Sequence, residues 1–254
     1  MKHIWTYLIG IIAGLGIIAG LIYAGKTWQQ AHQPQAEPET AETPGLPATP
    51  ASWQKIGQGK SLRYVALGDS LAAGFYTAKE TDSYQYRIRD YLKNNLGFSV
   101  SLDGFWKAGA TVTSLALPNV QKVIAMKPDL ISIEYGTNEQ DTTNPYYATP
   151  EQFKTNLTQL VTQLRSALPK ARIVLLTPWQ STTPAPYRQV VQAVGAANSG
   201  SVVDISSVWH NQANISSKTT QSWQGTGDGY HPSSQGNLAI ARLMVKAIDK
   251  IYVH

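Results

Sequence analysis

Leu62-Arg63-Tyr64-Val65-Ala66-Leu67 runs without a break into Gly68-Asp69-Ser70-Leu71. The first six residues are mostly apolar and β-favouring, and the glycine and aspartate after them are turn formers. The stretch therefore reads as a strand that ends in a sharp polar turn. The pattern recurs downstream. Leu130-Ile131-Ser132-Ile133-Glu134-Tyr135 runs into Gly136-Thr137-Asn138-Glu139. Arg172-Ile173-Val174-Leu175-Leu176-Thr177 and Ser201-Val202-Val203-Asp204 read as further strands, and Phe98 to Leu102 as a short one. Helical spacing fills the intervals: Tyr84 to Asn94, Leu115 to Met126, a stripe of Phe153, Leu157, Leu160, Val161 and Leu164, another of Tyr187, Val190, Val191 and Val194, and a closing helix through Leu238, Ala241, Val245, Ile248 and Tyr252. Thr149-Pro150-Glu151-Gln152 carries the signature of a capping box with proline at the first helical position. Alternating strands and helices specify an α/β fold, a three-layer α/β/α sandwich around a mainly parallel five-stranded sheet. Ligands of such folds sit beyond the carboxyl ends of the strands.

Upstream of this body the composition changes twice. Ile4 to Gly25 is a run of 22 residues without a formal charge. As a helix it would span about 33 Å, enough to cross a hydrocarbon core of ~30 Å. The competing reading is a cleaved signal peptide, but Leu21-Ile22-Tyr23-Ala24-Gly25-Lys26 offers no small-x-small cleavage site. Residues 1–26 are therefore expected to form an uncleaved transmembrane anchor. Lys2 and Lys26 flank the run, so the charge rule only slightly favours a cytoplasmic N-terminus and a body outside. Residues 27–52 are rich in Pro, Gln, Ala, Thr and Glu and read as an extended tether. Residues 53–254 make up one domain.

The whole chain of 254 residues is 43% hydrophobic and 15% charged, and it contains no cysteine. Disulfides, thiolate metal sites and cysteine nucleophiles are excluded. From Trp53 onward 19 Lys and Arg face 13 Asp and Glu, a surplus of +6. The basic residues are scattered, which argues against nucleic acid as a partner. Only His210 and His231 fall well inside the body, and no metal or organic cofactor is implied.

Chemistry is expected where the strands end. Gly68-Asp69-Ser70-Leu71 follows the first strand, Lys107-Ala108-Gly109-Ala110 the second, and Gly136-Thr137-Asn138-Glu139 the third. Asp228-Gly229-Tyr230-His231-Pro232 precedes the closing helix. These four blocks, in this order, resemble those of the SGNH (GDSL) hydrolases. The resemblance covers the body and neither anchor nor tether. It implies a flavodoxin-like sheet and a serine esterase or lipase acting on carboxylic esters, with Ser70 as nucleophile, His231 as base and Asp228 as its partner. The backbone N–H groups of Ser70 and Gly109 and the side-chain amide of Asn138 would form the oxyanion hole. Each role is chemically sensible. A serine hydroxyl needs an adjacent base, imidazole titrates near neutrality, and Asp228 lies three residues from His231, within reach of its other ring nitrogen. Developing negative charge needs preorganised donors. A glycine at 109 would let the backbone approach the substrate closely.

Taken singly, the same residues have plain structural readings. Ser70 would cap a following helix, Asp69 would orient the turn, Gly109 and Gly136 would be turn glycines, and Asn138 a left-handed turn residue. Asp228-Gly229 would be a turn dipeptide, and His231-Pro232 would open the closing helix. Their joint occurrence in order favours catalysis. The third block departs from the family's Gly-x-Asn-Asp by ending in Glu139, which bears on loop packing or substrate fit. Gly-x-Ser-x-Gly, His-Glu-x-x-His and phosphate-loop motifs are absent. His210 lies outside every block and reads as structural or substrate-facing. Ile205 to Gly227, with Trp209 and Trp223, is long for a connection and reads as a lid, an acyl wall or a self-packed surface loop. The expectation is a membrane-tethered extracellular serine esterase acting on lipid esters such as lysophospholipids, or on acylated carbohydrate. Secretion after cleavage is the alternative location. Acyl transfer to a polysaccharide and non-catalytic binding of wall glycan are the competing functions.

Overall fold

A computed structural model describes residues 45–50, 52–53, 56–180 and 185–253. The expected anchor and most of the tether lie outside the described residues, among which no helix is long and apolar enough to cross a membrane. In chain order the elements are β1 (Ser61–Gly68), α1 (Tyr84–Asp90), β2 (Ser99–Trp106), α2 (Leu117–Met126), β3 (Leu130–Glu134), α3 (Pro150–Ala167), β4 (Arg172–Leu176), α4 (Pro186–Ala197), β5 (Ser201–Val203), α5 (Ser206–Trp209), a hairpin of β6 (Gln221–Ser222) and β7 (Gly225–Thr226), and α6 (Ser234–Tyr252).

The five-stranded sheet has the order β2-β1-β3-β4-β5, and every pairing in it is parallel. The expected three-layer architecture is present. Strand side chains alternate between two cores, as a pleat requires. Tyr64, Ala66, Leu130 and Val174 join α1 and α6 on one face. Val65, Leu67, Ile131, Ile133, Ile173 and Leu175 join α2, α3 and α4 on the other. All five residues of β3 are buried, the polar Ser132 and Glu134 with the apolar Leu130, Ile131 and Ile133.

The α3 stripe is buried in full, and both bonds of its capping box form: Thr149 Oγ1 accepts from Gln152 N at 3.3 Å, and Gln152 Oε1 from Thr149 N at 2.9 Å. β2 is longer than its sequence signals, running four residues past Leu102 to Trp106. It is an edge strand, and exposed Ser99, Ser101 and Asp103 dilute its apolar pattern. Upstream of Trp53, Leu46 packs against the core and Gly45 O accepts from Arg242 Nε at 2.8 Å, so contact with the body begins before residue 53.

Strand order reverses between β1 and β3. β1 leads outward to β2, and the chain then returns to β3 on the other side. The crevice beyond the carboxyl ends of two such strands is where doubly wound folds hold ligands. Ser70 lies two residues past the end of β1 and Asn138 four past the end of β3.

Candidate active site

Asp69 shapes the turn that carries Ser70. Its Oδ1 accepts from Leu71 N at 2.9 Å, while Ala73 N and Phe75 N bond back to the carbonyls of Asp69 and Ser70. No regular helix follows, so the helix-capping reading of Ser70 fails. The hydroxyl instead meets His231 Nε2 at 2.8 Å.

His231 is aimed from the other side. Asp228 Oδ2 sits 2.5 Å from Nδ1, and Oδ1 accepts from His231 N, Tyr230 N and Ser216 Oγ, each at 2.9 Å. Burial opposes ionisation of Asp228. The hydrogen bonds from the His231 backbone and ring and from Tyr230 N outweigh it, so the carboxyl falls to about 2. An ionised Asp228 requires the proton on Nδ1, which leaves the Nε2 lone pair facing the serine hydroxyl. Hydroxyl, imidazole and carboxylate, 161 and 3 positions apart along the chain, are thus joined in hydrogen-bonding order. The loop after β4 braces this arrangement. Trp179 Nε1 and Gln180 Nε2 donate to Tyr230 O, and Trp179 N donates to Thr137 Oγ1.

Among the described residues the N–H groups of Ser70 and Gly109 have no acceptor. Gly109 has φ +74°, and a Cβ built on it would meet open space. The glycine is therefore favoured by its left-handed backbone. At Gly136 the backbone and the surrounding protein both demand glycine: φ is +112°, and a Cβ would fall 2.5 Å from Pro178. The Asn138 amide faces the same cavity as Ser70, and its Nδ2 donates to Asp69 Oδ2 at 2.8 Å and to Ala110 O at 3.0 Å.

Ser70 and His231 open onto a cavity of about 460 Å³ walled by Thr137, Asn138, Gln140, Asp141, Gln180 and Tyr230. Glu139 is not in it. Its carboxylate is buried, with Oε1 on Val112 N at 2.7 Å and Oε2 on Gly136 N at 2.8 Å, and it ties the second block to the third. Burial pushes it up to about 7 against those two bonds. Beneath Ser70, burial also raises the carboxyls of Asp69 and Glu134, that of Glu134 well above its ordinary value with the charge of Asp69 adding to the effect.

The stretch 205–227 is structured. It holds α5, a 3-10 turn at Gln212–Asn214 and the β6–β7 hairpin. Gln224 Oε1 accepts from Tyr76 N at 3.1 Å, Trp223 N donates to Thr77 O, and Trp223 Nε1 donates to Gly74 O at 2.9 Å. Tyr76, with φ +60°, places its ring 5.3 Å from the imidazole of His231. His210 stacks on Trp209, and its Nδ1 lies 2.7 Å from Ser206 O, which is a structural role. Sequence reasoning missed Tyr76 and Gln180, which carry no motif. It kept Asp69 as a turn former and missed its bond to Asn138. The position of Asp69 directly before the serine was the available signal.

A model of the GDSL-like lipase/acylhydrolase family matches residues 66–239. No curated protein matches the chain in sequence. Among solved structures, LAE5, an alpha/beta hydrolase enzyme from the metagenome of Lake Arreo, Spain, superposes with a TM-score of 0.58 at 20% identity, covering 75% of this chain and 95% of its own. Axe2, an acetylxylan esterase from Geobacillus stearothermophilus, does so with a TM-score of 0.57 at 23% identity, covering 76% and 96%. At these identities the likenesses bear on the fold.

Proposed function

Since the chain belongs to the GDSL-like lipase/acylhydrolase family and is a serine carboxylic ester hydrolase, we propose that Ser70, His231 and Asp228 are its catalytic triad and that it works through an acyl-enzyme. The observation that carries this is the hydrogen-bonded run from Asp228 through His231 to the Ser70 hydroxyl. In the first step Nε2 takes the hydroxyl proton as Oγ attacks the ester carbonyl. The oxyanion is received by the N–H groups of Ser70 and Gly109 and by Asn138, which gives up one of its present acceptors to do so. His231 then returns the proton to the leaving alcohol. Water, deprotonated by the same nitrogen, releases the acid and restores the serine. Asp228 holds the tautomer and balances the imidazolium.

The substrates are esters of lipids, lysophospholipids included, or of acylated carbohydrate. The acetylxylan esterase activity of the structural neighbour Axe2 supports the second class. The uncharged run from Ile4 to Gly25 supports a body tethered to the outer face of the cell membrane. Protease shaving of intact cells tests the location, since a body facing out is cleaved without lysis. p-Nitrophenyl esters of increasing chain length test the chemistry. Ser70→Ala and His231→Ala are each expected to lower kcat by about 10⁴-fold or more. Unchanged turnover in Ser70→Ala overturns the nucleophile assignment.

A further inference from the structure

We infer that the alcohol part of the substrate is a glycan, and that the exposed rings of Tyr146 and Trp223 are sugar-binding platforms flanking Ser70. The inference rests on the esterase reading above and narrows its substrate.

The cavity at Ser70 has the wrong walls for a fatty chain. Thr137, Asn138, Gln140, Asp141 and Gln180 present hydroxyl, amide and carboxylate groups, and Tyr230 supplies the one ring besides His231. Among the described residues no aliphatic side chain lines it. A long acyl chain there would strip water from polar groups and give them no partner, whereas the hydroxyls of a sugar would pair with them. The acyl group that fits is short.

The exposed apolar surface lies on segments that continue from the walls of this cavity, the loop after β3 and the hairpin before Tyr230. Among the described residues the large hydrophobic side chains left exposed are Tyr146 at 52%, Tyr147 at 42% and Trp223 at 44%. Tyr146 and Tyr147 are on the loop between β3 and α3, and Trp223 is at the tip of the β6–β7 hairpin. Exposed aromatic surface on segments that adjoin a cleft marks a binding face. The C–H faces of a sugar ring are flat and apolar, and they stack on such rings while the hydroxyls point outward to polar partners.

The ring of Trp223 and the backbone that carries Tyr146 are held in place before any ligand arrives. The Trp223 indole is pinned through Nε1 to Gly74 O, and it stands 6.4 Å edge-on to Phe75, which lies 6.0 Å from His231. The backbone of Tyr146 is tied by N–H to Asn144 Oδ1 at 2.8 Å. Tyr146 lines a second cavity of about 380 Å³ with Lys107, Gly109 and Asn144. Ala110 borders this second cavity and its carbonyl accepts from Asn138 of the first, while Asn144 Nδ2 donates to Gly109 O at 3.2 Å. Of the proposed oxyanion donors, Ser70 and Asn138 line the first cavity and Gly109 the second, and the Asn138–Ala110 bond joins the two linings. A sugar stacked on Tyr146 would lie next to the one whose ester meets Ser70.

The test uses the full-length protein in detergent. Its kcat/KM is measured on p-nitrophenyl acetate, on p-nitrophenyl octanoate and on O-acetylated xylo-, manno- and chito-oligosaccharides of increasing length. Acetate should be preferred to octanoate, and kcat/KM should rise with oligosaccharide length for at least one glycan series. Tyr146→Ala and Trp223→Ala should each lower the ratio of kcat/KM on that oligosaccharide to kcat/KM on p-nitrophenyl acetate by about tenfold, mainly through KM. Tyr146→Phe and Trp223→Phe, which keep an aromatic face, should retain most of that ratio; these variants separate stacking from a loss of loop structure. The inference is overturned if octanoate is the better substrate, if no acetylated oligosaccharide is turned over while p-nitrophenyl acetate is, or if the ratio is unmoved in both alanine variants. Hydrolysis of no ester at all would instead overturn the esterase reading beneath it.

Discussion

Asn138 and Asp69 are joined at 2.8 Å, amide nitrogen to carboxylate oxygen, directly behind the serine hydroxyl. The second amide hydrogen of Asn138 is spent on Ala110 O at 3.0 Å. Asp69 is fully buried, and its other oxygen is fixed by Leu71 N. The residue before Ser70 thus sets the position of a side chain that follows β3, across the point where the strand order reverses.

This coupling makes Asp69 a positioning residue for Asn138. Asn138→Ala should lower kcat on p-nitrophenyl acetate by about 10²–10³-fold, the usual effect of losing one oxyanion donor. Asp69→Ala should lower it by a smaller factor, with little change in KM. The double variant should be no worse than Asn138→Ala alone, because the two act as one unit. Additive losses in the double-mutant cycle would show that Asp69 acts independently of the amide.

Asp228 gives an acid-limb prediction. Its carboxyl is depressed to about 2 in the folded protein, below the unfolded carboxylate range near ~3.9. A depressed acid stabilises the fold fully above the unfolded value and loses that contribution as pH falls through the folded one. The melting temperature of the wild type should therefore drop between about pH 4 and pH 2 more steeply than that of Asp228→Asn. The asparagine variant should also lose on the order of 10⁴ in kcat at neutral pH, because its amide favours the wrong imidazole tautomer.

Glu139 behaves in the opposite sense. Burial raises its carboxyl to about 7, so the folded protein holds this proton more tightly than the unfolded chain does. Stability from this group is present at low pH and is lost as pH rises from about 4.5 to about 7. Glu139→Gln should remove that slope. It should also cost roughly 1–3 kcal/mol, because its amide nitrogen would face either Val112 N or Gly136 N as donor against donor. Melting curves of both proteins between pH 4 and 8 check the two effects together.

What could be read from the sequence was whatever leaves a period or a motif. β3 and β4 are buried almost throughout, and the leucine, isoleucine and valine that this requires made both strands legible. Thr149 and Gln152 form the bonds that their spacing foretold. Ser70, Asp228 and His231 meet as the order of the blocks implied. Features that depend on distant pairing were not legible. The far half of β2 alternates too weakly for an edge strand to declare itself, and the two-residue strands of the hairpin are too short to carry a pattern. The departure at Glu139 was visible, but its task was not, because Val112 lies 27 positions upstream and only the fold brings it near. Likewise nothing local announces that both amide hydrogens of Asn138 are taken.

The left-handed backbone of Tyr76 costs on the order of 1–3 kcal/mol and is held by Gln224, 148 positions later in the chain. The His231 imidazole is thereby flanked by an aromatic ring whose backbone is held by a small surface cassette, residues 221–226. The cassette ends two positions before Asp228, so the ring beside His231 and the carboxylate bonded to its Nδ1 are both set by one continuous stretch of chain.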